Sequence, residues 1–196
     1  MEKKIRAEEI SEIISRKIIS GELEPGTPLK VLTLTKEFGV SQAPVREALR
    51  ILQGEGYVIS KPNCGCKVTE HTLEELKETF EIRFILEQSG LIENIQSCKN
   101  EPLMTELYKQ FELVEDRESF IEVDYRLHEY IANIPNNSML LKLWKQVMNK
   151  SRIAHKINQD NWQLKPALKL HKKLCRAIFE ADLEEITTLM KKHYNK

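Results

Sequence analysis

The sequence predicts a mostly α-helical protein: a winged helix-turn-helix with a small β-hairpin wing over residues 1–70, then an all-α helical bundle over residues 71–196. Three observations carry this expectation. Apolar residues recur at three- and four-residue steps through most of the chain, which is the helical period. The stretch from Tyr57 to Thr69 breaks that period with two short β-rich runs around Lys-Pro-Asn-Cys-Gly. No strand signal recurs after Thr72, so everything beyond reads as helix.

The elements follow in order. From Ala7 to Ser20 the apolar positions Ala7, Ile10, Ile13, Ile14 and Ile18 share one helical face, and Gly21 is placed to end that helix. Pro25-Gly-Thr-Pro28 forces a turn. A short helix spans Leu32 to Phe38 and stops at Gly39. Ser41 then caps a third helix running to about Glu55, and Pro44 is tolerated because first-turn N–H groups lack helical partners. Tyr57–Ser60 and Cys66–Thr69 read as the strands of the hairpin. Thr72 caps a long helix from Leu73 to about Cys98. Five more amphipathic segments are expected at Pro102–Val114, Ser119–Ile134, Met139–Asn158, Pro166–Ala181 and Leu183–Tyr194.

Composition narrows the class. A chain of 196 residues, 41% hydrophobic and 31% charged, can bury a core and forms one or two domains. Its apolar runs fall far short of the ~20 residues a membrane span needs. Met1-Glu-Lys-Lys-Ile-Arg6 leads into a charged amphipathic stretch with no secretory core, so a cytoplasmic protein with no membrane partner is expected. The four cysteines are neither a dense disulfide framework nor paired zinc knuckles, which suits reduced thiols. Net charge is zero, and the first 69 residues hold 11 Lys and Arg against 9 acids. Any nucleic-acid partner must therefore be argued from local pattern.

That pattern lies on the third helix. Val45, Ala48, Leu49 and Leu52 form its apolar stripe, while Gln42, Arg46, Arg50 and Gln53 line the opposite side. In a winged helix this is the recognition helix, which would present Gln42, Arg46 and Arg50 to a major groove.

A second constellation lies in the bundle. Asp124 and His128 are four residues apart and share a helical face. His171 lies eleven residues before Asp182 and His193 eleven after it, so an antiparallel hairpin turning at Asp182 sets both imidazoles at one level. Three His and one carboxylate form a candidate divalent-metal site, although the same spacing also suits a solvated face. His71 and His155 lack such partners and read as surface or capping residues. Glu129 lies about 100° round the helix from His128, away from the position a general base would need. There is no HExxH, phosphate loop or nucleophile elbow, so no enzyme is expected.

Residues Ile18–Leu29, the run Phe38-Gly-Val-Ser-Gln-Ala-Pro-Val-Arg-Glu-Ala-Leu49 and Glu55-Gly-Tyr-Val58 together resemble the DNA-binding domain of GntR-type transcriptional regulators. Glu81-Ile-Arg-Phe-Ile-Leu-Glu87, Asp124-x-x-x-His128, Leu170-His171 and Met190-Lys-Lys-His193 resemble the FCD ligand-binding domain of the FadR-like branch. The resemblance implies that Asp124, His128, His171 and His193 hold a divalent metal, zinc or nickel. It also implies a small carboxylic acid effector beside that metal, with Arg83 near the cavity and Arg152 as a looser partner for the carboxylate. A homodimer on near-palindromic, double-stranded operator DNA is the matching expectation.

On the DNA side Ser41, Arg46, Gly65 and Lys67 match the family pattern. Gln42 stands where Arg is usual, Val31 and Leu32 where Glu and Arg are common, and Cys64 where the wing is often basic. Fewer cations should lower the salt dependence of binding, while Gln42 suits adenine edges, so an altered operator is expected. Two alternatives stay open: a redox-sensing regulator working through Cys64 and Cys66, and a metal-dependent enzyme of the bundle alone.

Overall fold

The computed structural model describes residues 5–61, 65–154 and 163–194. These form two compact units. One takes the chain up to Leu76 together with the stretch from Gln146, and the other takes Lys77–Lys145 and the later helices.

The first unit is built on three helices, α1 (Ala7–Ser20), α2 (Val31–Phe38) and α3 (Gln42–Gly54). Ile10, Ile14 and Ile18 of α1 are buried against Val45, Ala48 and Leu52 of α3, the stripes that the helical period marks out. Gly21 ends α1 with φ 75°, a left-handed conformation that glycine adopts without a Cβ penalty. Ser41 sits at the cap position of α3, but its side chain makes no cap hydrogen bond, so the expected hydroxyl cap is absent.

The wing is larger than the expected hairpin. Strands β1 (Pro28–Leu29), β2 (Val58–Lys61) and β3 (Gly65–Val68) form a three-stranded antiparallel sheet in the order β1-β3-β2. Val58 faces Val68 and Lys61 faces Gly65, while Leu29 pairs with Cys66 on the other edge. A two-residue strand shows no alternation, which is why β1 is invisible in the sequence. Pro28 suits an edge strand because its missing N–H leaves no central ladder broken.

Helix α7 (Ser138–Ala154) contributes its later turns to this unit. The Tyr57 hydroxyl donates to Asn149 Oδ1 at 2.8 Å, and Asn149 Nδ2 donates to the Glu55 carbonyl at 3.1 Å. Gln146 Nε2 likewise meets the Gly54 carbonyl at 2.8 Å, so α7 side chains satisfy the Gly54 and Glu55 carbonyls, while those of Ile51, Leu52 and Gln53 accept from the backbone N–H groups of Glu55, Tyr57 and Gly56.

The second unit is all helical among its described residues. It contains α4 (Leu73–Asn94, beyond its first turn), α5 (Pro102–Glu112), α6 (Arg117–Asn133), the start of α7, α8 (Leu164–Glu180) and α9 (Leu183–His193). Thr72 and Glu75 cap α4 reciprocally, each side chain bonding the other's backbone N–H. The helix ends at Asn94 and passes into a 3-10 turn over Ile95–Cys98, short of the expected continuous run. Asp116 and Ser119 form a second reciprocal cap, which moves the start of α6 ahead of Ser119. Leu107, Phe111, Leu127, Ile131, Leu174, Ile178 and Met190 share one core. Ala181, with φ 56°, ends α8, and Asp182 caps α9 by accepting from the Glu185 N–H at 3.0 Å. The two helices therefore form the tight hairpin on which the level placement of His171 and His193 depends. No helix among the described residues is long and apolar enough to cross a membrane.

Candidate functional site

Asp124 and His128 stand one turn apart on α6, His171 comes from the middle of α8, and His193 is the last residue of α9. The fold brings one ligand atom from each within 4.8 Å of the others. His128 and His193 stack at 4.8 Å between ring centroids, and His171 stands perpendicular to His193 at the same distance. Asp124, His128 and His171 are buried, and Phe111 and Phe120 pack against the His171 ring.

The nitrogens are sorted. His171 Nδ1 lies 2.8 Å from the carbonyl of Ala167, an acceptor, so this nitrogen carries the proton. Its Nε2 faces Asp124 Oδ1 at 2.8 Å, and His128 Nε2 faces the same oxygen at 3.5 Å. Neither Nε2 makes an aligned hydrogen bond, although both are buried. Orphaned buried imidazole nitrogens converging with a carboxylate on one point are what a divalent ion requires, since ligands about 2.1 Å from a metal stand roughly 3–4 Å from each other. The residues present fit such an ion.

Charges agree with this arrangement. Burial by itself would push the Asp124 carboxyl up, but His128 and His171 override it and hold it well below the usual carboxylate range. For His128, burial favours the neutral ring; the Glu87 and Asp124 carboxylates outweigh it, and the imidazole is pushed up to about 9. His193 is held well below its ordinary value by burial first and by its neighbours His128 and His171 second, which leaves it neutral and ready to donate a lone pair.

Glu87 is the residue that sequence reading missed. It is fully buried on α4, with Oε2 2.6 Å from His128 Nδ1 and 2.8 Å from the Tyr194 hydroxyl. Its Oε1 accepts from Trp144 Nε1 at 2.7 Å. Burial would raise this carboxyl, but the charges on His128 and Arg83 keep it below its ordinary value. In the sequence it stands at the end of the Glu81–Glu87 run and in the Arg83-x-x-x-Glu87 spacing, which marks a helical ion pair and says nothing of burial.

The remaining sequence-derived residues fall as follows. Arg83 is 1% exposed, with Nε and Nη2 both 3.4 Å from Glu87 Oε1 and its guanidinium over the Phe80 and Tyr194 rings. Arg152 is also buried, near the C-terminal end of α7 in the first unit. His71 departs from the expected surface role: its side chain is only 6% exposed, and burial pushes its ring down. Glu129 pairs with Lys145 at 2.9 Å. His155 and Cys64 lie outside the described residues. Cys66 is half-buried with its thiol pushed up by that burial, the opposite of an activated thiolate.

On α3 the exposed side carries Gln42, Arg46 and Arg50, beside the exposed Ser41 at its start. Arg46 donates to Gln42 Oε1 at 3.2 Å, and Arg50 pairs with Glu47 at 3.4 Å. Gly65 opens β3 with φ 76°, and Lys67 on the same strand bonds Glu70. Leu32, one of the departures noted above, is 64% exposed on α2.

Comparison with known proteins gives concordant matches. Residues 6–68 match the model of bacterial regulatory proteins, gntR family, and residues 78–196 match that of the FCD domain. The chain is 25% identical over 190 residues to the uncharacterized HTH-type transcriptional regulator YdhC of Bacillus subtilis (strain 168), covering 93% of this chain and 84% of that protein. It is 33% identical over 137 residues to the gluconate operon transcriptional repressor of Bacillus licheniformis, covering 67% of this chain and 56% of that protein. Among solved structures, a putative GntR transcriptional regulator from Rhodococcus sp. RHA1 superposes with a TM-score of 0.77 at 22% identity, covering 96% of this chain and 93% of that one. Such a likeness speaks for the fold.

Proposed function

The chain belongs to the gntR family of bacterial regulatory proteins, in the branch that carries an FCD domain, and is a DNA-binding transcriptional regulator; on that premise we propose that two copies grip a near-palindromic operator and that a small carboxylic acid, bound beside a divalent ion in the bundle, changes their grip. The observation that carries the reading is the convergence of the buried Nε2 atoms of His128 and His171 on Asp124, with His193 beside them. Zinc or nickel suits three imidazoles and one carboxylate, and when bound supplies a Lewis-acidic position for a carboxylate oxygen. Asp124, His128, His171 and His193 would hold the ion. Nε and Nη2 of Arg83 face Glu87, so an effector carboxylate would meet its remaining N–H groups.

On the DNA side, α3 enters a major groove. Arg46 and Arg50 suit guanine edges or phosphates, and Gln42 suits adenine. Ser41 leaves its hydroxyl and the first-turn N–H groups of α3 for a phosphate. Gly65 and Lys67 bring the wing to the backbone. For the effector to switch anything it must bind the DNA-competent and incompetent arrangements with affinities that differ by ~1–3 kcal/mol.

Anisotropy of duplex from the chain's own upstream region tests this, against scrambled duplex, at several salt concentrations, with zinc present and after chelation. We expect preference for the upstream duplex and a K that falls with salt. Small carboxylic acids should change that affinity only in the zinc-loaded protein. Equal, feeble binding to both duplexes would remove the operator proposal, and an effector response surviving chelation would remove the metal from it.

A further inference from the structure

We infer that Glu87 is the positioning residue of the metal centre: its carboxylate accepts a hydrogen bond from the Nδ1–H of His128 and so fixes that ring with the Nε2 lone pair turned toward Asp124. The inference rests on reading the Asp124 cluster as a metal site, and it concerns a residue one step outside the ligand set.

Four groups surround the Glu87 carboxylate: His128 Nδ1, the Tyr194 hydroxyl, Trp144 Nε1 and the Arg83 guanidinium. Trp and Arg nitrogens can only donate, and an ionised carboxylate can only accept. The Tyr194 hydroxyl lies 2.8 Å from Oε2 and, against an ionised carboxylate, donates as well. The 2.6 Å contact with His128 must therefore be Nδ1–H to oxygen. That leaves Nε2 as the lone-pair nitrogen once the ring gives up its second proton, and Nε2 is the atom that faces Asp124 without an aligned partner.

His171 reaches the same end by a local route, its Nδ1 held by the carbonyl of Ala167 one turn back on α8. His128 has no such route. Its acceptor comes from a different helix, 41 residues away in sequence. Glu87 also draws Trp144 of α7 and Tyr194 after α9 onto one carboxylate, so the orientation of a ligand on α6 depends on three other helices. Outer carboxylates of this kind set tautomer and ring angle, and losing one weakens metal binding by about 10- to 100-fold.

Glu87→Gln separates tautomer control from simple filling of the site. A glutamine keeps the shape but brings two donors and one acceptor to four donor neighbours. With its oxygen toward Trp144, its amide N–H faces His128 and asks Nδ1 to accept, which moves the ring proton to Nε2 and removes the ligand lone pair. Glu129→Gln is the control, since it neutralises a carboxylate on the same helix that pairs with Lys145 and leaves the His128 contact in place.

The experiment is zinc titration of the full chain by competition with a chromophoric chelator, for wild type, Glu87→Gln and Glu129→Gln. Proton–nitrogen correlation spectra of the zinc-loaded wild type are recorded alongside. We expect zinc affinity to fall about 10- to 100-fold in Glu87→Gln and to stay within a few-fold in Glu129→Gln. In the wild type, His128 should carry a slowly exchanging proton on Nδ1. Wild-type zinc affinity in Glu87→Gln overturns the role of Glu87 and leaves the metal site standing. A wild type that takes up no zinc overturns the metal site and this inference with it. Should Glu87→Gln fail to fold, the spectrum decides, because a His128 proton found on Nε2 contradicts the assignment.

Discussion

At the scale of single residues, the environment of each side chain decides which groups are reactive. Cys175 is 1% exposed, and burial pushes its thiol up to about 12; the Cys66 thiol is pushed up as well. Since the thiolate is the nucleophile, neither sulfur is activated at neutral pH. Alkylation of the native protein with iodoacetamide at pH 8, mapped by mass spectrometry, should leave Cys175 unlabelled and Cys66 slow, and unfolding should release both. Rapid native labelling of Cys66 would instead revive a redox-sensing wing. The same local logic separates the two buried arginines from the surface cations. Arg83 lies against Glu87 inside the bundle, whereas Arg50 meets Glu47 in solvent, where a pair contributes ~0–1 kcal/mol.

At the scale of elements, close approach of one segment to another fixes several positions that propensity leaves undecided. Gly90 lies inside α4, where glycine is ordinarily unfavourable, yet a Cβ there would run into the Pro135 ring. Gly90→Ala should therefore destabilise the protein by about 1–3 kcal/mol through overpacking, despite its better helix propensity, and thermal unfolding would measure it. An unchanged or raised Tm would mean that Pro135 shifts freely. The example also marks what the sequence could and could not tell. Helices α1, α3, α6, α8 and α9 were legible because each buries one stripe, and the clustering of one carboxylate with three imidazoles was legible because Asp124 and His128 share a turn while His171 and His193 are equidistant from Asp182. Glu87 and Gly90 were not legible, because their burial depends on α6, α7, α9 and the Pro135 turn arriving from far along the chain. Strand β1 was lost for the same reason: its two residues have meaning only opposite β3.

At the scale of the whole molecule, the question is what covers the far side of α4. Ile82, Ile85 and Ile92 are 47%, 63% and 44% exposed, and at 100° per residue they fall on the side opposite Arg83, Glu87 and Leu91. A helix with one apolar side against its own core and another in water is the expected form of a subunit contact. Three isoleucines do not amount to the ~800 Å² per partner of a standard interface, but they would stand at its desolvated centre, where most of the affinity resides. A two-fold axis through this side places each Ile85 near its symmetry mate, so Ile85→Glu would bring two carboxylates into one apolar patch. We expect wild type to run as a dimer and Ile85→Glu as a monomer in size exclusion with light scattering, with unchanged helical content, since Ile85 lies outside the bundle core. Loss of the dimer should also weaken binding to a two-half-site operator far more than to a single half-site, because the second recognition helix is then no longer tethered. A monomeric wild type, or a dimer untouched by the charge, would move the contact to another surface.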